Sequence, residues 1–230
     1  MIVQIYEVST PKEAKELEKL GVNHIGVLVG KGKHPREIDF KKARAIFKAL
    51  SKKTQKVALS LSNQIKDFKE IIQKTCPDIL HLVALPEKLT PSDIKLIKQK
   101  FPDIKIMRTI PVIDKKSIDL AKQYDGIVDY LLLDSYKEGD SQVGATGKVH
   151  NWQISKEIVK LVKTPVILAG GLGPDNVERA IKIVKPAGVD SKTKTDRTDG
   201  QGKDLRKVKE FVMKVKSTAK TLSETKINEK

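Results

Sequence analysis

Two polar loops late in the chain carry residue types suited to holding a phosphoryl group. LAGGLGP supplies Gly170, Gly171 and Gly173 just ahead of a helical pattern that starts at Pro174. Glycines let backbone N–H groups approach an anion closely, and a helix N-terminus adds a favourable partial charge. VDSKTK then offers the hydroxyls of Ser191 and Thr193 and the ammonium of Lys192. Between these loops and the middle of the chain, LLLDS places Asp134 after three apolar residues. A carboxylate partly buried at such a position has a raised pKa and can exchange protons near neutral pH. Read alone, the glycines also suit a simple tight turn and Asp134 a simple cap.

Two further loops bear on chemistry. GATGKVHNW contains Lys148 and Trp152 but lacks the spacing of a nucleotide-binding loop, because Gln142 and Val149 stand where glycine and a hydroxyl residue are needed. ATP binding is excluded on that ground. The loop is expected to fold over the site, anchored by Asn151 or Trp152. GKGKHPRE carries Lys31, Lys33, His34 and Arg36. It suits a clamp for an anionic group, with arginine offering a bidentate match to carboxylate, and suits a solvated basic loop equally well.

The elements that must position these loops repeat. Apolar, β-branched runs occur at 2–8, 24–29, 56–61, 79–83, 105–110, 130–133, 165–169 and 187–190. Each is followed by residues with helical periodicity, at 11–20, 40–50, 64–74, 91–100, 115–123, 153–162, 174–184 and 204–217. Thr10 before Pro11 and Thr90 before Pro91 read as helix starts, and Gly21 as a helix stop. Near-continuous apolar strands alternating with helices predict a parallel sheet under a helical layer, and eight units predict closure into an α/β (β/α)8 TIM barrel of one domain, 1–217. An open doubly wound sheet is disfavoured because Glu7-Val8-Ser9-Thr10-Pro11 has no glycine fingerprint after the first strand. Residues 218–230 lose apolar periodicity and are expected to be a disordered polar tail.

In a barrel of this kind the working residues sit at the C-terminal ends of strands, which is where the loops above fall. Composition narrows the remaining classes. The net charge is +16, yet 39 of the 45 basic residues are lysine and aromatics make up only 4%. That pattern fits solvated helix faces better than a nucleic-acid reader, so no specific nucleic-acid partner is expected. No apolar run is long enough for a membrane span, and the N-terminus opens directly into a strand-like run, so a cytoplasmic location is expected. Cys76 is the only cysteine and is expected to be a small buried residue; the four histidines show no metal-ligand spacing. Neither a metal nor another cofactor is expected.

These motifs, in this order, resemble phosphoribosylanthranilate isomerase over most of the chain. LLLDS with GATGKVHNW is similar to the family's LLLD, glycine-rich GTGK and tryptophan. PVILAGGLGPDNV, PAGVDSKTK and KDL are similar to its AGGL-P-NV, G-VD-SS and KD segments. The resemblance implies an Amadori rearrangement, in which a phosphoribosyl amine opens to a Schiff base and a proton shift yields an aminoketose phosphate. It implies Asp134 as general acid, Arg36 at the aromatic carboxylate and Asp190 beside the substrate amine, with His81 and Arg108 as further substrate contacts. Gly171, Lys192 and Thr193 fall in the phosphate loops.

The first strand departs from the family pattern, reading Gln4-Ile5-Tyr6-Glu7 where K-I-C-G is usual, so Tyr6 stands in place of the cysteine base. Tyr6 and Glu7 are the two candidates to replace it. The fourth strand, LHLVA, and Lys192, in place of a serine, also depart. A related barrel enzyme acting on another phosphosugar or phosphorylated metabolite, and a non-catalytic phosphate-ligand barrel, stay open as alternatives. The implied partner is a phosphorylated small molecule, and the chain is expected to be a monomer or homodimer.

Overall fold

The structure, a computed structural model, describes residues 1–32, 34–137, 143–144 and 147–228, with side chains as far as 225. Lys33 of the basic loop, Gln142, Ala145 and Thr146 of the glycine-rich region, and the last two residues of the expected tail lie outside the described residues.

Eight strands alternate with eight helices: β1 Ile2–Ile5, α1 Pro11–Leu20, β2 His24–Leu28, α2 Phe40–Lys48, β3 Gln55–Ser60, α3 Ile65–Thr75, β4 Ile79–Leu82, α4 Pro91–Lys100, β5 Lys105–Pro111, α5 Lys116–Tyr124, β6 Tyr130–Asp134, α6 Trp152–Leu161, β7 Val166–Leu168, α7 Val177–Val184, β8 Gly188–Ser191 and α8 Leu205–Asn228. All pairings are parallel and β8 returns to β1, closing the barrel as the repeat pattern predicts. The expected caps form. Thr10 accepts from the Glu13 amide at 3.1 Å, Thr90 and Asp93 make a reciprocal capping box, and Gly21 ends α1 in the left-handed region at φ 92°.

Alternation along each strand divides the core into two shells. Tyr6, Val57, Ile79, Met107, Leu132, Ile167 and Ala169 fill the barrel interior. Residues one step out of phase, such as Ile5, Ile25, Leu80, Ile106, Leu131 and Val189, are buried against the helices. Burying each Ile, Leu or Val in full is worth roughly 1.5–3 kcal/mol. The strand ends therefore rest on two packed layers, which makes them rigid platforms for loop residues.

Three expectations need correction. Residues 218–228 of the expected tail are helical: α8 runs to Asn228, with the hydroxyls of Thr218, Thr221 and Thr225 donating to carbonyls four residues back and Leu222 packed on the core. Scattered small residues hid a helix that needs only an occasional apolar contact. Cys76 is exposed, because it caps α3 in the left-handed region at φ 52°, where its side chain points away from the core. Arg108 is fully buried but faces outward. Its neighbour Met107 points into the barrel, so Arg108 packs toward the helices, donating to the Leu82 carbonyl at 3.0 Å and lying 5.2 Å from the Tyr124 ring centre. It does not reach the mouth of the barrel.

Candidate active site

The strand ends bring most of the chemistry-bearing residues to one rim. A cavity of about 70 Å³ is lined by Tyr6, Glu7, His81, Asp134, Asp190 and Lys192, among others. A neighbouring cavity of about 30 Å³ shares Asp134, Asp190 and Lys192 and is bounded by Gly147, Gly170, Gly171, Thr193 and Lys194. A larger cleft, about 230 Å³, opens on the flank between the loop after β2 and α3. Its lining includes neither Asp134, Asp190 nor the glycine loop, so we place the candidate site at the two cavities that bring these together.

Asp134 ends β6 with its carboxylate in the crowded space between two glycines. A Cβ at Gly144 would collide with its Oδ2, and one at Gly170 would come within 3.3 Å of its Oδ1. The Ser135 amide donates to Oδ1 at 2.7 Å. Burial raises the Asp134 pKa to about 6 against the lowering effect of the Ser135 hydrogen bonds. Asp190, on β8, is raised to about 8, first by burial and then by the charge of Asp134, with the Gln4 side chain and Lys203 opposing. Its Oδ1 is buried and has no hydrogen-bond partner among the described residues. Two interacting carboxylates of this kind titrate as a pair that holds one proton between them near neutral pH.

Tyr6, one of the two candidates for the missing base, is buried in the barrel interior with its hydroxyl bonded to protein. Its ring occupies space that Gly26 leaves open: a Cβ there would overlap the tyrosine ring. Burial, followed by the charge of Asp190, raises its pKa well above 10. Burial and the Arg108 guanidinium lower His81 to about 3, so the imidazole is neutral. The Tyr6 hydroxyl therefore stays protonated and shares a hydrogen bond with His81 Nδ1, and His81 Nε2 bonds Thr109 Oγ1 at 2.6 Å. His81 lines the cavity, but both of its ring nitrogens are occupied by protein partners.

Glu7 escapes strand alternation through a left-handed backbone, φ 60°. Its carboxylate meets Arg36 at 2.9 Å and Lys192 at 3.2 Å. Arg36, also left-handed at φ 71°, further meets Asp196 at 2.7 Å, and buried Lys203 holds the other Asp196 oxygen at 2.6 Å. These charges tie the loops after β1, β2 and β8 together across the rim. Arg36 is brought to the site's edge, engaged by two carboxylates.

The phosphate loops divide into contact and support. Gly170 and Gly171 adopt φ of 82° and 62°, which an L side chain rarely tolerates. Among the described residues, the amides of Gly171, Thr193 and Lys194 donate to no backbone carbonyl, the last two because they open a 3-10 turn at Thr193–Thr195. Gly173 and Ser191 are not free for a ligand, contrary to expectation. The Gly173 amide donates to Asn176 Oδ1 at 2.9 Å, and the Ser191 hydroxyl donates to the Leu172 carbonyl at 2.7 Å, tying the two loops together. Lys194 joins Lys192 as a second cation nearby, paired at 3.5 Å with Asp175.

One residue escaped the sequence reading. His150 donates or accepts at Nε2 with Ser155 Oγ at 2.7 Å, while its buried Nδ1 has no partner among the described residues. A Cβ at Gly170 would lie 2.7 Å from that Nδ1, so His150 and Asp134 flank one spot. Nothing in GATGKVHNW singles out the histidine, since its neighbour in space comes from β6. Asn151 caps α6 by accepting from the Gln153 amide at 3.0 Å, and Trp152 is buried with Arg179 over its ring. Among the described residues no group of three His, Cys, Asp or Glu side chains is placed to hold a metal ion, and no helix is long and apolar enough to cross a membrane.

A parallel eight-stranded barrel with a carboxylate pair and a glycine-rich anion pocket at its C-terminal rim defines a class of acid-base enzymes acting on phosphorylated small molecules. Residues 3–214 match the family described as N-(5'phosphoribosyl)anthranilate (PRA) isomerase. The chain is 33% identical over 216 residues to N-(5'-phosphoribosyl)anthranilate isomerase of Methanocella arvoryzae, covering 94% of this chain and 98% of that one. It is 32% identical over 203 residues to the Methanocaldococcus jannaschii protein of the same name, covering 85% and 88%. The solved structure from Pyrococcus furiosus superposes with a TM-score of 0.75 at 26% identity over 94% of this chain and 99% of that one. A PRA isomerase in complex with reduced 1-(o-carboxyphenylamino)-1-deoxyribulose 5-phosphate shares the fold, with a TM-score of 0.76 at 20% identity over 94% and 100%. The chain belongs to the N-(5'-phosphoribosyl)anthranilate isomerase family.

Proposed function

We propose that this protein isomerises N-(5'-phosphoribosyl)anthranilate, a step of tryptophan biosynthesis, and does so in the cytoplasm as a monomer or homodimer. The observation that carries the reading is the position of Asp134, at the junction of the two rim cavities and beside the glycine loop. The amides of Gly171, Thr193 and Lys194, with the Lys192 ammonium, bind the phosphate, and Gly170 leaves room for the chain to pass close to Asp134. Phosphate competes with Glu7 for Lys192, and the substrate carboxylate competes with Glu7 and Asp196 for Arg36. The network across the rim thereby loosens as ligand enters. Asp134 donates a proton to the ring oxygen of the sugar, the C1–O bond breaks and a protonated Schiff base forms. Loss of the C2 proton then gives an enolamine, which ketonises to the aminoketose phosphate.

A second reading, a different phosphorylated aminosugar as substrate, is favoured by Tyr6. Its ring and its bond to His81 fill the floor of the cavity at the position where the family carries a cysteine. The test is to incubate the purified protein with phosphoribosylanthranilate and follow the loss of its fluorescence, beside Asp134→Asn and Tyr6→Cys. Turnover that Asp134→Asn abolishes supports the first reading. Turnover untouched by Asp134→Asn rejects the acid assignment, and none by parent or Tyr6→Cys protein leaves the second reading in its place.

A further inference from the structure

We infer that Asp190 takes the C2 proton, acting with Asp134 as a carboxylate pair that supplies both the acid and the base of the rearrangement. This rests on the isomerase reading above.

The Tyr6 hydroxyl is bonded to His81, and His81 has both nitrogens occupied. Glu7 faces two cations, Arg36 and Lys192. Two acidic groups facing the cavity have a buried oxygen without a hydrogen-bond partner among the described residues: Glu7 Oε2 is held instead by ion pairs with Arg36 and Lys192, whereas Asp190 Oδ1 has neither. It lines both rim cavities, as Asp134 does. An unpartnered buried carboxylate oxygen costs stability, and a site that keeps one has it poised for a ligand proton. The charged and titratable groups facing it are Tyr6 and Glu7 from the loop after β1, His81 from β4, Asp134 from β6, and Lys192, Lys194 and Lys203 from the loop after β8.

The steps balance. The proton that the pair shares passes from Asp134 to the ring oxygen, leaving Asp190 ionised; the C1–O bond breaks, and the lone pair of the substrate nitrogen forms the C1=N bond. The pair is then fully ionised for a moment, beside a cationic Schiff base that offsets the added charge. Asp190 Oδ1 removes the proton from C2; the C–H electrons form the C1=C2 bond and the C=N electrons return to nitrogen. The pair again holds one proton, and no outside base is needed. Two carboxylates that cannot both ionise easily become a stronger acid and a stronger base in alternation, which suits them to this sequence.

The experiment compares parent, Asp190→Asn and Asp190→Glu on phosphoribosylanthranilate carrying deuterium at C2. Asparagine removes a buried charge and keeps the shape, so the variant is expected to fold. The expected result is a kcat reduced at least about 100-fold in Asp190→Asn, the scale of losing a general base. KM should stay within about threefold of the parent, because the lost interaction belongs to the transition state. Partial recovery with Asp190→Glu, and a larger C2 isotope effect than in the parent, complete the expectation. An Asp190→Asn enzyme within about tenfold of the parent in kcat overturns the inference. If the parent itself does not turn over the substrate, the isomerase reading fails separately. Carboxyl NMR titration then decides: an Asp190 signal that shifts to lower pH on Asp134→Asn keeps the pair, and an ordinary, uncoupled titration overturns it.

Discussion

Gly171 offers the sharpest test of how the rim is built, and Gly171→Ala is the change to make. Its φ of 62° lies in the left-handed region, where a non-glycine residue costs roughly 1–2 kcal/mol. For a domain of this size that lowers Tm by roughly 2–8 °C. The larger effect is local. An added Cβ would lie 2.8 Å from the Gly147 carbonyl oxygen and 2.9 Å from the Lys148 carbonyl carbon, and both are backbone atoms that cannot rotate away. The loop before α6 must move, and with it the glycine amide aimed at the phosphate. A hydrogen bond to a charged group is worth roughly 1.5–3 kcal/mol, so kcat/KM should fall roughly 10- to 150-fold, mostly through KM. Steady-state kinetics on phosphoribosylanthranilate, with calorimetric titration of a phosphate-bearing product analogue, reads this directly. A Gly171→Ala enzyme that melts lower yet keeps its KM and its affinity for the analogue would refute the role of this amide.

Further outcomes follow from the same geometry. Asp134→Asn should lower kcat by roughly 10²- to 10⁴-fold with little change in KM, measured by fluorescence decay. A plot of log kcat/KM against pH should be bell-shaped, falling below about 6, where both carboxyls are protonated and no base remains, and above about 8, where both are ionised and no acid remains. Both values lie above the ordinary 3.8 for aspartate, so the protonated forms favour the fold and their contribution is lost as pH rises through about 8. Asp190→Asn should accordingly melt higher than the parent at pH 9, as followed by thermal denaturation. Arg108→Met should leave kcat/KM unchanged and keep or raise Tm, because a buried cation that faces the helices is replaced by an apolar chain of similar length.

The barrel was legible because its strands and helices obey local rules: apolar runs bounded by turns, hydroxyl caps at Thr10 and Thr90, and a glycine stop at Gly21. Asp134 and the glycine loop were legible for the related reason that fold geometry puts strand ends at the rim. What sequence could not settle depends on partners from other strands. Tyr6 finds its role through Gly26 on β2 and His81 on β4, and His150 through Gly170 after β7. Arg108 sits in KIMRTIP, where each side of the strand mixes apolar residues with a polar one, Met107 with Thr109 and Ile106 with Arg108, so polarity does not mark the inward face. Ser191 and Gly173 have the chemistry of ligand contacts, yet each meets a protein group first, Leu172 and Asn176 respectively. Glu7 and Arg36 depend on left-handed backbones that no residue type announces, since neither is glycine.

The most direct test of the account is a crystal structure of this protein with reduced 1-(o-carboxyphenylamino)-1-deoxyribulose 5-phosphate. The account predicts the phosphate on the amides of Gly171, Thr193 and Lys194, with the carbons corresponding to C1 and C2 of the sugar between the carboxyls of Asp134 and Asp190. A phosphate bound elsewhere, such as in the flank cleft beside α3, or reacting carbons out of reach of both carboxyls, would contradict it.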